Sequence, residues 1–365
     1  MTESNVLKPI PWWSWAFPLL ACLLFGAKAV LPMGAPVLVL LALVLGGAVF
    51  SAVHHAEVVA HRVGEPFGTL VLAIAVTVIE VALIVSVMLT GGPEKAALAR
   101  DTVFSAVMIV CTGVVGLCLL AGASRHHEQE FQVQGANGAL AVLAALSVLT
   151  MVLPNYTQSP GPAFTTSQLG FVGVVSLVLY GVFVFVQTVR HRDYFLSEPG
   201  AETGQADHHL PPPSARMALL AAGLLVVSLV AVVGLAKALS PAVEAGVAAS
   251  GAPKSLVGVI IAAVVLLPES LAAVRAARLD QLQTSLNLAF GSAIASIGLT
   301  IPVVAAVSVY LGHPLTLGLE PKEAVLLALT LLLSTLTVAT GRTSILQGAI
   351  HLTVFAVFLF FAVVP

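Results

Sequence analysis

Charged side chains are scarce in this sequence. Asp, Glu, Lys and Arg make up 9% of its 365 residues, hydrophobic residues make up 59%, and mean hydropathy is +1.05. Soluble domains carry about 25% charged residues. This chain lacks the polar surface to stand in water and reads as an integral membrane protein. The few charges nearly cancel, to a formal −2, so a nucleic-acid partner has no electrostatic support. Cysteine is rare too. Cys22, Cys111 and Cys118 all fall in apolar runs, which argues for buried thiols and against a disulfide framework or a cysteine metal site. Catalytic signatures are missing: there is no phosphate-binding glycine loop and no GxSxG elbow. HHAEVVAH at 54–61 lacks the HExxH spacing of a zinc protease, and GGP at 91–93 reads as a helix breaker. With no sizeable hydrophilic domain either, an enzyme is not expected, nor is a cofactor.

What the chain has in abundance is apolar length. A helix needs about 20 apolar residues to cross the hydrocarbon core. Eleven stretches qualify: 14–31, 35–53, 66–90, 102–122, 137–153, 169–189, 215–236, 255–274, 284–311, 322–340 and 344–364. The expected fold is all-α with eleven transmembrane helices. The first is not a cleavable signal, because a basic n-region and a small-residue cleavage site are lacking. Trp12, Trp13 and Trp15 instead suit interfacial anchors. With the N-terminus inside, the inside loops hold nine Lys and Arg residues and the outside loops six. The positive-inside bias therefore places the N-terminus in the cytoplasm.

The longest hydrophilic stretch, 190–214, is polar and rich in Pro and Gly. It is expected to be a flexible cytosolic linker. It separates an N-terminal segment with helix 1 (1–34) and a five-helix set (35–189) from a second five-helix set (215–365). Five is odd, so the two sets run in opposite directions. That is the inverted-repeat plan of many secondary transporters.

Only two acids sit well inside a span: Glu80 in the third helix and Glu269 in the eighth. Each is on the second helix of its set. Glu80 lies fourteen residues after Pro66, and Glu269 fourteen after Ser255. An acid at bilayer depth costs roughly 2.5–3.5 kcal/mol on insertion scales. One such acid is readily a protonated group hydrogen-bonded in a bundle. Two at matching places in an inverted repeat point to a shared midplane site for a cation or protons. Thr69, Ala73, Thr77 and Glu80 share one helical face, as do Ala262, Glu269, Ala273 and Ala276. The small residues also serve close packing. The following helices bring hydroxyls, Ser105 and Thr112 on one, Ser285, Ser292 and Ser296 on the other, with Asn287 nearby. Taken singly, such hydroxyls often bond only their own backbone.

Pro268 precedes Glu269 directly and has no N–H, so the carbonyl of Val264 loses its helical partner. In a membrane that oxygen must be satisfied by neighbours, water or an ion. The alternative is a tolerated kink. Ca²⁺ takes six to eight oxygens from carboxylates, carbonyls, hydroxyls and water. Glu80 and Glu269 would neutralise it, and would carry protons when it leaves. The candidate cation and proton ligands are thus Glu80, Glu269, Thr77, Val264, Ser105, Ser292 and Ser296.

Most histidines fall in loops placed inside. His54, Glu57 and His61 share a face if the second helix continues past 53, which suits pH or metal sensing. The plainer reading is solvated loop residues. His351, inside the last span, reads as a packed polar residue.

Two stretches resemble a known family: GEPFGTLVLAIAVTVIEVALIVSVML at 64–89 and LLPESLAAVRAARLDQLQTSLNLAFGSAIASIGLTIPV at 266–303. They look like the α-repeats of the Ca²⁺:cation antiporter superfamily. Within it they are most similar to the cation/proton exchangers, and there to bacterial ChaA-type calcium (sodium, potassium)/proton antiporters. The helix count and the 5+5 division agree, so the resemblance spans nearly the whole chain. It implies a multi-pass protein of the bacterial inner membrane that exchanges Ca²⁺ for protons by alternating access, with Glu80 and Glu269 binding cation and protons in turn. A Na⁺ or K⁺/proton antiporter of the same build is the alternative, ahead of a cation channel or a membrane enzyme. The family's Gly-Asn-x-x-Glu pattern is altered here. Thr77 and Leu266 stand at the Asn positions.

Overall fold

The structure is a computed structural model that describes residues 11–27, 34–64, 67–90, 96–196, 213–312 and 315–364. Most of the expected linker (197–212), Pro66 and the GGP break at 91–93 lie outside the described residues. Eleven helices are present: α1 (Trp12–Ala27), α2 (Ala35–Val63), α3 (Phe67–Thr90), α4 (Leu98–His126), α5 (Val133–Tyr156), α6 (Thr166–Arg190), α7 (Ala215–Ala249), α8 (Ser255–Arg278), α9 (Leu282–Leu311), α10 (Pro321–Ala339) and α11 (Ile345–Val363). Ten are long and apolar enough to cross a membrane, and α1 is a shorter apolar helix. The chain is a multi-pass membrane protein with the expected eleven-helix, all-α build. Among the described residues the strands are one antiparallel pair of two residues each, β1 (Gln129–Glu130) and β2 (Arg342–Thr343).

Several helices outrun their apolar stretches. α2 continues ten residues past 53 to Val63, because His, Glu and Arg are tolerated in a helix. It stops at Gly64, whose φ of +76° suits a residue without a side chain. α7 passes through Pro241 and reaches Ala249 rather than 236. α4 starts at Leu98, which draws Arg100 and Asp101 into its buried first turn. The beginning of the expected flexible linker is ordered: Arg192–Phe195 forms a 3₁₀ turn with Phe195 buried.

The helices form two compact units. One comprises Met1–Ala75 with Pro212–Ala242, the other Val76–Pro211 with Val243–Pro365. In the first, α1 packs along α2. Gly47 admits the ring of Phe17, and Ser51 and His55 both donate to the carbonyl of Ser14, His55 Nε2 at 2.9 Å.

In the second unit α4 is the central element. Its first eleven residues are all buried, and α8, α9 and α11 surround it. Small residues set how close they come. A side chain at Gly258 of α8 would lie 2.9 Å from the Asp101 backbone of α4. Gly116 of α4 and Gly348 of α11 bring those two helices into backbone contact. A Cβ at Gly348 would sit 2.7 Å from the Leu120 nitrogen. α9 packs in turn against α4, α5, α6 and α8.

Four of the described helices contain a π-turn, an extra residue wound into the helix: α5 at Val148–Val152, α6 at Val186–Arg190, and also α9 and α4. In α9 it spans Ser296–Thr300, in α4 Ile109–Val114. The α9 turn has a cause in the sequence. Pro302 has no N–H for the carbonyl of Gly298, and its ring would strike that oxygen in a regular helix. The widened turn relieves the clash.

Candidate functional site

Glu80 lies on α3 and is 2% exposed. The π-turn of α9 meets it. Ser296 Oγ donates to Glu80 Oε2 at 2.9 Å, and Thr300 Oγ1 donates to the same oxygen at 3.1 Å. The two hydroxyls stand four residues apart, on one face of the helix. Gly298 lies between them. A Cβ there would come within 2.8 Å of the Tyr180 Cβ, so the glycine lets the turn seat against α6. Glu80 Oε1 makes no hydrogen bond among the described residues. The arrangement is a buried carboxyl with one oxygen held by two donors and the other open to a proton or a cation.

Glu269 is half-buried on α8, and both its carboxylate oxygens are shielded. α8 runs from Ser255 to Arg278 through Pro268 without a break. Val264, half-buried, is one turn before the proline. α8 packs against α9 and against the π-turn of α4. α9 is therefore common to both acids: it bonds Glu80 directly and lies along the helix that carries Glu269.

The other candidate ligands are placed as follows. Thr77 is buried one turn before Glu80. Ser292 is half-buried one turn before Ser296. Ser105 gives its hydroxyl to the Asp101 carbonyl at 2.5 Å and lines a cavity with Asp101, Glu323 and Phe358. Thr112 donates to the Met108 carbonyl. Asn287 gives its amide to the Phe195 carbonyl at 2.5 Å, which ties the linker's first turn to α9. α2 does carry His54, Glu57 and His61 past 53. His54 packs against Trp13 with the rings tilted and their centroids 5.2 Å apart, while Glu57 and His61 are exposed. Among the described residues no three His, Cys, Asp or Glu side chains gather as metal ligands.

Sequence reasoning passes over Thr300. The signal was available: Thr300 follows Ser296 by four residues inside the 266–303 stretch. His55, counted in the sequence among the histidines of the inside loops, is instead fully buried within α2.

A buried acid held by hydroxyls in a bundle of apolar helices marks a membrane transporter, where intramembrane carboxylates serve ion or proton pathways. Comparison with known proteins narrows the class. The model of the family described as "Sodium/calcium exchanger protein" matches residues 33–189 and 220–364, and the chain belongs to that family. It is a family of cation exchangers, not of enzymes. The chain is 52% identical over 360 residues to the protein y4hA of Sinorhizobium fredii (strain NBRC 101917 / NGR234), covering 98% of this chain and 97% of that one. It is 36% identical over 346 residues to the sodium-potassium/proton antiporter ChaA of Escherichia coli (strain K12), covering 94% of each. Among solved structures, native YfkE shares the fold with a TM-score of 0.74 at 16% identity, covering 97% of this chain and 99% of the other.

Proposed function

We propose that this protein is a secondary cation/proton antiporter that exchanges Ca²⁺ for protons by alternating access across the bacterial inner membrane, with its N-terminus in the cytoplasm. The observation that carries the reading is the bond pair of Ser296 and Thr300 on Glu80 Oε2. Those donors stabilise the ionised carboxylate. They also keep lone pairs of their own for a hard cation, which is coordinated by oxygen. Glu80 and Glu269 are the exchanging groups. When the site faces the cytoplasm, a cation displaces their protons to that side. When it faces outward, the cation leaves and protons from outside rejoin the carboxyls. Thr77, the Val264 carbonyl and Ser292 complete the oxygen set from α3, α8 and α9. Two carboxylates match a divalent charge, which favours Ca²⁺.

The second reading is Na⁺ or K⁺ exchange at the same site. It is favoured by the kinship to a sodium-potassium/proton antiporter. A monovalent ion needs one ionised carboxylate, with the other acid kept protonated.

Everted vesicles test both. The proton gradient is formed and Ca²⁺, Na⁺ or K⁺ is added in turn while gradient collapse is followed. Collapse by Ca²⁺ at the lowest concentration supports the first reading, and collapse by Na⁺ or K⁺ alone supports the second. A gradient that no cation dissipates sinks both.

A further inference from the structure

The π-turn of α9 has Pro302 to impose it. The matching turn in α4 has nothing of the kind: no proline lies between Leu98 and His126. The winding at Ile109–Val114 therefore has a cause other than proline. The backbone bonds show where the demand falls. In a regular helix the Val115 N–H would meet the Cys111 carbonyl. Here it bonds Val110 and Thr112 instead and skips Cys111. In a membrane a carbonyl passed over in this way needs another donor.

His351 of α11 supplies it. Its Nδ1 lies 2.8 Å from the Cys111 oxygen, and its Nε2 lies 3.0 Å from Thr337 Oγ1 on α10. The ring is fully buried. The Gly116–Gly348 contact presses α11 against α4 one turn away, which brings the imidazole within reach of the backbone. A carbonyl can only accept, so Nδ1 carries the proton. In the neutral ring Nε2 then accepts, and the Thr337 hydroxyl donates to it. Both helices thus fix one tautomer.

We infer that His351 is a positioning residue for transport: its Nδ1–H holds the Cys111 carbonyl and keeps the α4 π-turn in the winding that packs against the Glu269 helix. This rests on the antiporter reading, in which α8 carries one of the two exchanging acids. The turn touches α8 and α9 directly. Its geometry is therefore passed to the cation site without His351 touching a cation.

Two measurements test the assignment. Solid-state ¹⁵N NMR of histidine-labelled protein in lipid, with H351N to identify the signal by difference, reads the tautomer. A ring protonated at Nδ1 alone is expected, and a ring protonated at Nε2, with or without Nδ1, overturns the assignment. The second measurement is the half-saturating concentration of Ca²⁺ and of Na⁺ for exchange in H351N, H351Q and T337V. Asn places its amide near the position of Nδ1, and Gln near that of Nε2. H351Q is expected to raise half-saturation about tenfold while H351N stays within about twofold of wild type, the scale of losses from groups one step removed from a metal. Equal half-saturation in H351N and H351Q overturns the proposal. If H351Q fails to insert, T337V decides. Without the hydroxyl Nε2 loses its donor and the Cys111 carbonyl alone holds the ring, so half-saturation should rise at an unchanged melting temperature, and an unchanged value overturns the proposal. Wild type and E80Q run alongside. Loss of all cation-driven proton movement in wild type would sink the antiporter reading, while the NMR result would still decide the His351 bond.

Discussion

Thr300 donates its hydroxyl to Glu80 Oε2 across 3.1 Å, from a helix more than two hundred residues further along the chain. Ser296 holds the same oxygen at 2.9 Å. A hydrogen bond to a charged group is worth about 1.5–3 kcal/mol, so T300V should weaken cation half-saturation by about ten- to a hundredfold. T300S, which keeps the hydroxyl, should lose far less. Cation titration of exchange in reconstituted vesicles checks this, and a loss in T300S as large as that in T300V would show that the hydroxyl bond does not carry the effect.

E80Q and E269Q should each abolish exchange while the protein remains inserted and monodisperse. Gln keeps the shape and polarity of Glu but cannot alternate between charge and proton. Gradient collapse in everted vesicles reads the activity, and size-exclusion chromatography in detergent reads the fold. Wild-type exchange in either variant would remove that residue from the mechanism.

Cation affinity should fall as pH falls. A cation binds the ionised carboxylates, so protons compete with it for Glu80 and Glu269, and binding must release protons. The two acids should give up their protons as a coupled pair, with binding measured at several pH values between about 5.5 and 9. A divalent ion should release two protons if it empties both acids, and a monovalent ion one. Binding to purified protein in weakly buffered solution counts them directly. Affinity independent of pH, with no proton released, is the outcome that excludes a shared site.

G298A should lower both stability and exchange. The new Cβ would meet the Tyr180 Cβ at 2.8 Å, and that atom has no freedom to swing away. Overpacking of this kind costs roughly 1–3 kcal/mol. Gly291, on the same helix, has open space where its Cβ would go, so G291A is the control and should melt with wild type. A G298A protein as stable and active as G291A would mean that α6 does not brace the turn.

The eleven spans were legible because hydropathy reports bilayer thickness directly. Glu80 and Glu269 stood out because acids are costly at that depth. Helix ends were less visible. Apolarity stops at 53 in α2, but the backbone obeys helix propensity and runs on to Gly64. The hydroxyl partners were half legible: Ser296 stood out on its helix, whereas Thr300, one turn further along the same face, was passed over. No periodicity announces a π-turn. In α9 Pro302 hints at one, while in α4 the hint lies on α11, far away in the sequence. Ser105 carries the right chemistry in the right helix, yet its hydroxyl is spent on the Asp101 carbonyl.

The contact of Gly116 with α11 also bears on how the molecule is made. His351 follows Cys111 by 240 residues. The ribosome therefore delivers α4 long before the helix that completes it. Until α11 arrives, the glycine groove on α4 is unfilled and the Cys111 carbonyl lacks its imidazole donor. The buried centre of this unit cannot finish in the order in which it is synthesised. A helix inserted long after α4 closes the core that α4 lays down.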